Sequence, residues 1–165
     1  MKNQIIALAI AGSVALILIL RELDLIAPAG IRRNNPGNIR PLSTGLWAGQ
    51  SGIENNFCVF SSAQWGLRAV SRTLYNYRVK HNIKTIAELA NRWAPSVEND
   101  TNDYINGLVS AMGVSAVHII DLRDPETNLK AMRGIIVNEN GYKFPGVHWF
   151  SDADLKTAQS LAGIK

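Results

Sequence analysis

Acid–base chemistry in this chain has to come from carboxylates. The three histidines, His81, His118 and His148, are far apart, and none has a ligand-like partner at helical spacing. Together with the single cysteine they are just enough for one four-ligand zinc site, and their scatter argues against it. Cys58 lies in the apolar, strand-like run Phe57-Cys58-Val59-Phe60, which suits a small buried hydrophobe. A nucleophilic thiolate needs an electropositive, accessible setting instead. The sequence has no G-x-x-x-x-G-K-[ST] loop, no H-E-x-x-H, no G-x-S-x-G and no paired C-x-x-C. Chemistry without a metal or organic cofactor is the expectation.

Two of the 13 acidic residues stand out by context. Glu139 closes an apolar helical run, Ile135-Ile136-Val137-Asn138-Glu139-Asn140-Gly141. A carboxyl held against apolar side chains loses solvation of its charged form and stays protonated near neutral pH. A general acid for glycosidic cleavage needs that state. The plain alternative at such a position is an exposed helix-end Glu. Glu54, in Gly52-Ile53-Glu54-Asn55-Asn56, sits at a turn or strand edge and is the candidate second carboxylate. Asn34, Asn35 and Asn38 carry amides suited to sugar hydroxyls or N-acetyl groups, although Asn-Asn-Pro-Gly-Asn is also a turn-forming run. Trp47, Trp93 and Tyr104 offer apolar faces to a saccharide or, equally, to a core.

These residues need elements to position them. Residues from about 30 to 60 are rich in Gly, Asn, Pro and Ser and read as loops with a short hairpin. Ser61-x-x-Gln64 predicts a helix start, followed by an apolar stripe through Trp65, Ala69, Leu74 and Tyr77. Thr85-x-x-Glu88 opens a short helix that stops before Pro95. Asn99 to Thr101 cap a helix over Tyr104–Met112 that ends at Gly113. Asp124-Pro125 starts a helix that stops near Glu139-Asn140-Gly141, and Ser151-x-x-Asp154 opens the last one. The fold class is mainly α with a small β-element.

The 165 residues, 47% hydrophobic and 18% charged, fit one folded domain rather than a disordered chain. Residues 1–29 read as an anchor and linker, and residues 30–165 as the domain. Ile5–Leu20 is apolar on every face, with Ser13 its one polar side chain, and predicts a transmembrane helix and contact with a lipid bilayer. The rival is a cleavable signal peptide ending at Ala27-Pro28-Ala29. The expected location is therefore membrane-anchored, in a virion membrane or the bacterial inner membrane with the domain towards the wall. The orientation stays open, with Lys2 before the span and Arg21, Arg32 and Arg33 after it. The net charge of +4 and Arg32, Arg33 and Arg40 are all that suggest nucleic acid, and no reader motif accompanies them.

Three stretches carry a resemblance: Asn34-Asn35-Pro36-Gly37-Asn38-Ile39-Arg40, then Trp47-Ala48-Gly49, then Phe57-Cys58-Val59-Phe60-Ser61-Ser62. In order and spacing they resemble the wall-hydrolysing glucosaminidase family, with its N-N-x-x-G-I-K segment, W-x-G, hairpin acid and F-x-x-Y-x-S helix entry. Arg92-Trp93-Ala94-Pro95 through Asp103-Tyr104 resembles that family's Y-A-T-D-P-x-Y segment. The opening Gly30-Ile31-Arg32-Arg33-Asn34-Asn35-Pro36 resembles even more closely the lytic proteins of phage virions, which have a lysozyme-like fold. The resemblance covers about residues 30–141 and implies cleavage of β-1,4 bonds in peptidoglycan, of lytic transglycosylase or muramidase type. It also implies glycan strands, and virion proteins, as partners. The alternative it leaves is a non-catalytic virion structural membrane protein whose lysozyme-like domain binds the wall.

One departure from the glucosaminidases is informative. Their catalytic Glu ends a helix before the N-N segment, in a form like L-E-S-G. Here the matching helix end, Glu139-Asn140-Gly141, comes after it. The resemblance thus implies a circular permutation with Glu139 as general acid and Glu54 near the hairpin acid. Asn34, Asn35, Asn38, Trp47 and Tyr104 would then line the substrate. The rearrangement makes a geometric demand: Glu139 must meet the Asn34–Asn38 segment across about a hundred residues of chain.

Overall fold

The structure, a computed structural model, describes residues 27–95 and 101–165. Asn55 and Asn56 both take positive φ, 50° and 64°, as a tight two-residue hairpin turn requires. They join β1 (Gln50–Glu54) to β2 (Phe57–Phe60) as an antiparallel pair, with Glu54 opposite Phe57 and Ile53 opposite Cys58. Cys58 and Phe60 point into the core, which settles the cysteine as a buried hydrophobe.

A loop of asparagines covers the other edge of β2. The amides of Cys58 and Phe60 donate to the carbonyls of Ile39 and Arg33, at 2.9 and 3.0 Å. The Asn34 amide donates to the Phe60 carbonyl at 3.0 Å. Asn35 is fully buried at the centre of this loop. Its Nδ2 donates to the carbonyls of Ile39 and Cys58, and its Oδ1 accepts from the Ile39 N–H at 2.8 Å. An unpaired edge strand is thus converted into a paired one by side-chain amides.

Among the described residues the remaining elements are six helices: α1 (Ala29–Arg32), α2 (Ala63–His81), α3 (Ile86–Trp93), α4 (Thr101–Met112), α5 (Pro125–Asn140) and α6 (Asp152–Leu161). Thr85 and Glu88 form a reciprocal capping box on α3, and Ser151 and Asp154 form another on α6. Asp124 accepts from the Thr127 N–H at 2.8 Å, with Pro125 at the first helical position. The start of α2 differs from expectation by one residue. The N–H of Ser61 is bound by the Gly49 carbonyl, so the chain is still part of the hairpin there and Ser62 is the cap.

α5 is the axis of the core. Leu129, Ala131, Met132, Ile135 and Ile136 are buried along it, and it packs on α4, α2, α6 and α1. Gly134 lets α4 approach closely, since a Cβ there would lie 2.9 Å from Leu108 and 3.0 Å from Ala111. A buried polar cluster ties three helices together. Ser71 Oγ of α2 donates to Asn128 Oδ1 of α5 at 2.9 Å, and Gln159 of α6 donates to the Pro125 carbonyl at 2.7 Å. Such a fully paired cluster fixes which helix faces which.

The mainly helical class with a small two-stranded sheet is as expected. The transmembrane helix is not. No helix among the described residues is long and apolar enough to cross a membrane, and the membrane-anchored location built on it is withdrawn. The longest, α2, has 19 residues but carries Arg68, Arg72, Arg78 and Lys80. Ile5–Leu20, on which the expectation rested, lies outside the described residues, as do the caps expected at Asn99 and Asp100.

The asparagine loop yields a stability test. Asn35→Ala leaves the buried Ile39 N–H without its acceptor and opens a void lined by polar groups. The expected loss is about 2–3 kcal/mol of unfolding free energy, measured by denaturant titration.

Candidate functional site

Gly141, at φ 66°, ends α5 and leaves Glu139 in its last turn, facing back over the domain. Three consecutive side chains there bind two pieces of chain, α4 at Tyr104 and the asparagine loop at Pro36 and Asn38. Asn138 Nδ2 donates to the Tyr104 carbonyl of α4 at 3.0 Å. Asn140 Nδ2 donates to the Pro36 carbonyl at 2.7 Å. Between them, Glu139 Oε2 accepts from Asn38 Nδ2 at 2.7 Å and Oε1 accepts from the Tyr104 hydroxyl at 3.0 Å. The Trp93 indole is a further hydrogen-bond donor to the carboxyl. Glu139 and the Asn34–Asn38 segment therefore meet, through Asn38, across 101 residues.

The electrostatics of this carboxyl are unusual within the chain. Burial raises its pKa above the ordinary value of 4.5, and the hydrogen bonds from Asn38, Tyr104 and Trp93 offset part of that rise. No cation contributes. Four other described carboxyls are shifted, and all four are lowered by hydrogen bonds at exposed positions: Glu88, Asp121, Asp124 and Asp154. Glu139 is the one shifted carboxyl among the described residues whose pKa is raised. Its neighbour Tyr104 is raised well above 10, by burial first and then by the Glu139 charge, so the phenol stays a donor.

Beside Glu139 lies an open cleft of about 320 Å³. Asn38 and Trp93, both partners of the carboxyl, form part of its wall, together with Trp47, Tyr77, Arg40 and Arg92. Trp93 meets Tyr77 edge-on at 5.9 Å, and the Arg92 guanidinium lies 5.4 Å from the Tyr77 ring centre. The Trp47 indole donates to the Arg40 carbonyl at 3.1 Å, which fixes its ring at the cleft edge. A slot with aromatic walls and a proton-holding carboxyl at its side has the chemistry for acid catalysis on a flat, hydroxylated ligand.

The other expected residues divide by what they touch. Glu54 is on the exposed hairpin, where its Oε1 accepts from Arg33 Nε and Nη2 at 3.1 and 3.0 Å. Arg33 is almost buried, so this carboxylate neutralises a guanidinium that has little water of its own. Asn35 has no exposed surface for a ligand, and the Asn34 amide is bound within the fold. In this structure both amides serve the fold. Tyr104 is buried and reaches Glu139 rather than open space. Sequence reasoning missed Trp93 as a partner of Glu139, and Tyr77, Arg40 and Arg92 as cleft residues. Of these, the sequence marks only Trp93 as a face for a saccharide.

The raised pKa has a thermodynamic signature. Below the ordinary value the folded and unfolded chains both carry the proton. As pH rises, the unfolded chain releases it first, and stability is lost until the pH passes the folded value. Glu139→Gln cannot ionise, and its amide can accept from Asn38 while donating to the Tyr104 hydroxyl. Thermal melts of both proteins should show the variant gaining stability relative to the wild type as the pH rises above the ordinary value of 4.5, and the gain levelling off once the folded wild type has also ionised.

No protein-family profile matches the chain. A similarity to a single phage protein extends almost end to end: Protein P5 of Pseudoalteromonas phage PM2 is 32% identical over 145 residues, spanning 86% of this chain and 88% of its own. An identity of that size over nearly the whole of both chains leaves one assignment, and the protein belongs to the phage family of Protein P5.

Proposed function

We propose that this phage protein cleaves β-1,4 glycosidic bonds in bacterial peptidoglycan from a lysozyme-like domain, with Glu139 as the general acid. One observation carries the reading: a carboxyl whose pKa is raised by burial, and whose hydrogen-bond partners are all neutral, at the side of an aromatic-walled cleft. The family's phage setting supports it, because the host wall is a barrier to both entry and release. The sugar lies in the cleft against Trp47 and Trp93, and Glu139 protonates the glycosidic oxygen as the C1–O bond breaks.

The second half of the reaction follows from the second carboxylate. Glu54, the candidate nucleophile or water-activating base, is held by Arg33 on the exposed hairpin, and the partners of Glu139 lie elsewhere. This favours a single-acid route of the lytic transglycosylase kind. The ionised Glu139 takes the proton from the muramyl 6-hydroxyl as that oxygen bonds to C1, forming a 1,6-anhydro ring and restoring the acid. Asn38 and Tyr104 hold the carboxyl in both protonation states, since each donates to an oxygen that can accept throughout.

Loss of turbidity in purified peptidoglycan tests the proposal with the full chain. Glu139→Gln should lower the rate by about 10²-fold or more while the protein melts cooperatively. Glu54→Gln should leave the rate within a few-fold, because its carboxylate serves Arg33. Released sugars should carry 1,6-anhydromuramyl ends by mass spectrometry, whereas reducing ends would mean hydrolysis. Full activity in Glu139→Gln, or no release by the wild type, overturns the enzymatic reading and leaves wall binding without cleavage.

A further inference from the structure

The cleft beside Glu139 has a sign as well as a shape. Two guanidinium groups, those of Arg40 and Arg92, belong to its wall, and none of the described residues lining it is an Asp or Glu. Both arginines are exposed and both are oriented by aromatic rings. Arg92 stands against Tyr77 at 5.4 Å, with its Nη2 3.2 Å from His81 Nε2, and Arg40 lies 5.3 Å from the Phe57 ring centre. Rings that brace a guanidinium reduce the rotamer freedom it loses when a ligand arrives.

A neutral glycan has nothing for two cations to bind. Peptidoglycan has carboxylates on alternate sugars, either on the lactyl group or on the peptide stem, and a guanidinium fork matches a carboxylate in plane and spacing. Resting on the glycan-cleaving reading above, we propose that Arg40 and Arg92 make the cleft selective for a carboxylate-bearing glycan strand over a neutral one of the same length. The selectivity is then a property of binding, separate from the proton transfer at Glu139.

Binding to the full-length Glu139→Gln protein tests this without turnover. Three tetrasaccharides serve as titrants in calorimetry. One is neutral chitotetraose, one is the alternating N-acetylglucosamine–N-acetylmuramic acid strand without peptide, and one is the same strand bearing peptide stems. At least one carboxylate-bearing strand should bind about tenfold or more tightly than chitotetraose, and added salt should narrow the gap. Tighter binding of the peptide-free strand would assign the lactyl carboxylate, tighter binding of the peptide-bearing strand would assign the stem, and equal tightness of the two would mean that either carboxylate serves. Arg92→Gln and Arg40→Gln should each reduce the preference, and Arg92→Lys should restore only part of it. If an arginine variant fails to fold, the three titrants and the salt series on the Glu139→Gln protein still decide. Equal binding of all three strands overturns the selectivity while leaving a glycan cleft. Binding of none overturns the glycan reading and the selectivity with it.

Discussion

The end of α5 is where this domain is tied together, and the tie is a carboxyl placed between two amides. Asn138 holds the α4 backbone at Tyr104, Asn140 holds the asparagine loop at the Pro36 carbonyl, and Glu139 between them binds both through the Tyr104 and Asn38 side chains. Two glycines exist to let this happen. A Cβ on Gly107 would come within 2.0 Å of Asn138 Oδ1, and one on Gly30 within 2.5 Å of Asn140 Oδ1. A methyl group at either place would push α4 or α1 off the helix end and move the partners of Glu139 with it. The position of the acid is therefore a consequence of helix packing, not of a local loop.

Two glutamates show how environment divides identical side chains between roles. Glu54 meets a nearly buried guanidinium, and the pair's value lies in not leaving Arg33 alone among apolar atoms. Glu139 meets only neutral donors. Hydrogen bonds from amide, phenol and indole stabilise its charge, but less than the lost water did, so the balance tips towards the protonated form. A single cation in the Asn38 position would reverse that balance.

Much of the fold is legible because its signals are local. The capping pairs Thr85–Glu88 and Ser151–Asp154 and the Asp124–Pro125 start need only neighbouring residues to work, and each forms as read. The start of α2 slips by one residue because a distant carbonyl, that of Gly49, binds Ser61 first. The site is legible in part. The apolar run before Glu139 marks a carboxyl with apolar neighbours, but the three asparagines of the Asn34–Asn38 segment look alike in sequence. Positive φ at Asn34 and Asn38 turns their side chains in different directions, and Asn35 is drawn inward by the bare edge of β2. Only the tertiary arrangement separates a ligand-side amide from a structural one. Arg40 and Arg92 are invisible for the same reason, since nothing in their local pattern puts them on one cleft.

Asn38 and Trp93 belong at once to the cleft wall and to the hydrogen-bond shell of Glu139, and this shared membership couples the two. An occupant of the cleft covers the side of the shell that still meets water. Removing that water would disfavour the charged carboxyl further, so filling the cleft would favour the protonated state that the proposed acid role of Glu139 requires. The donors themselves are fixed by packing: Asn38 by its place in the asparagine loop, Tyr104 by its burial in α4 and Trp93 by the Tyr77 ring. They need little rearrangement when the proton leaves, because each already points at the oxygen on which charge will develop. A carboxyl so held is weakly acidic in the empty cleft, more so in the filled one, and ready to be stabilised once its proton has gone.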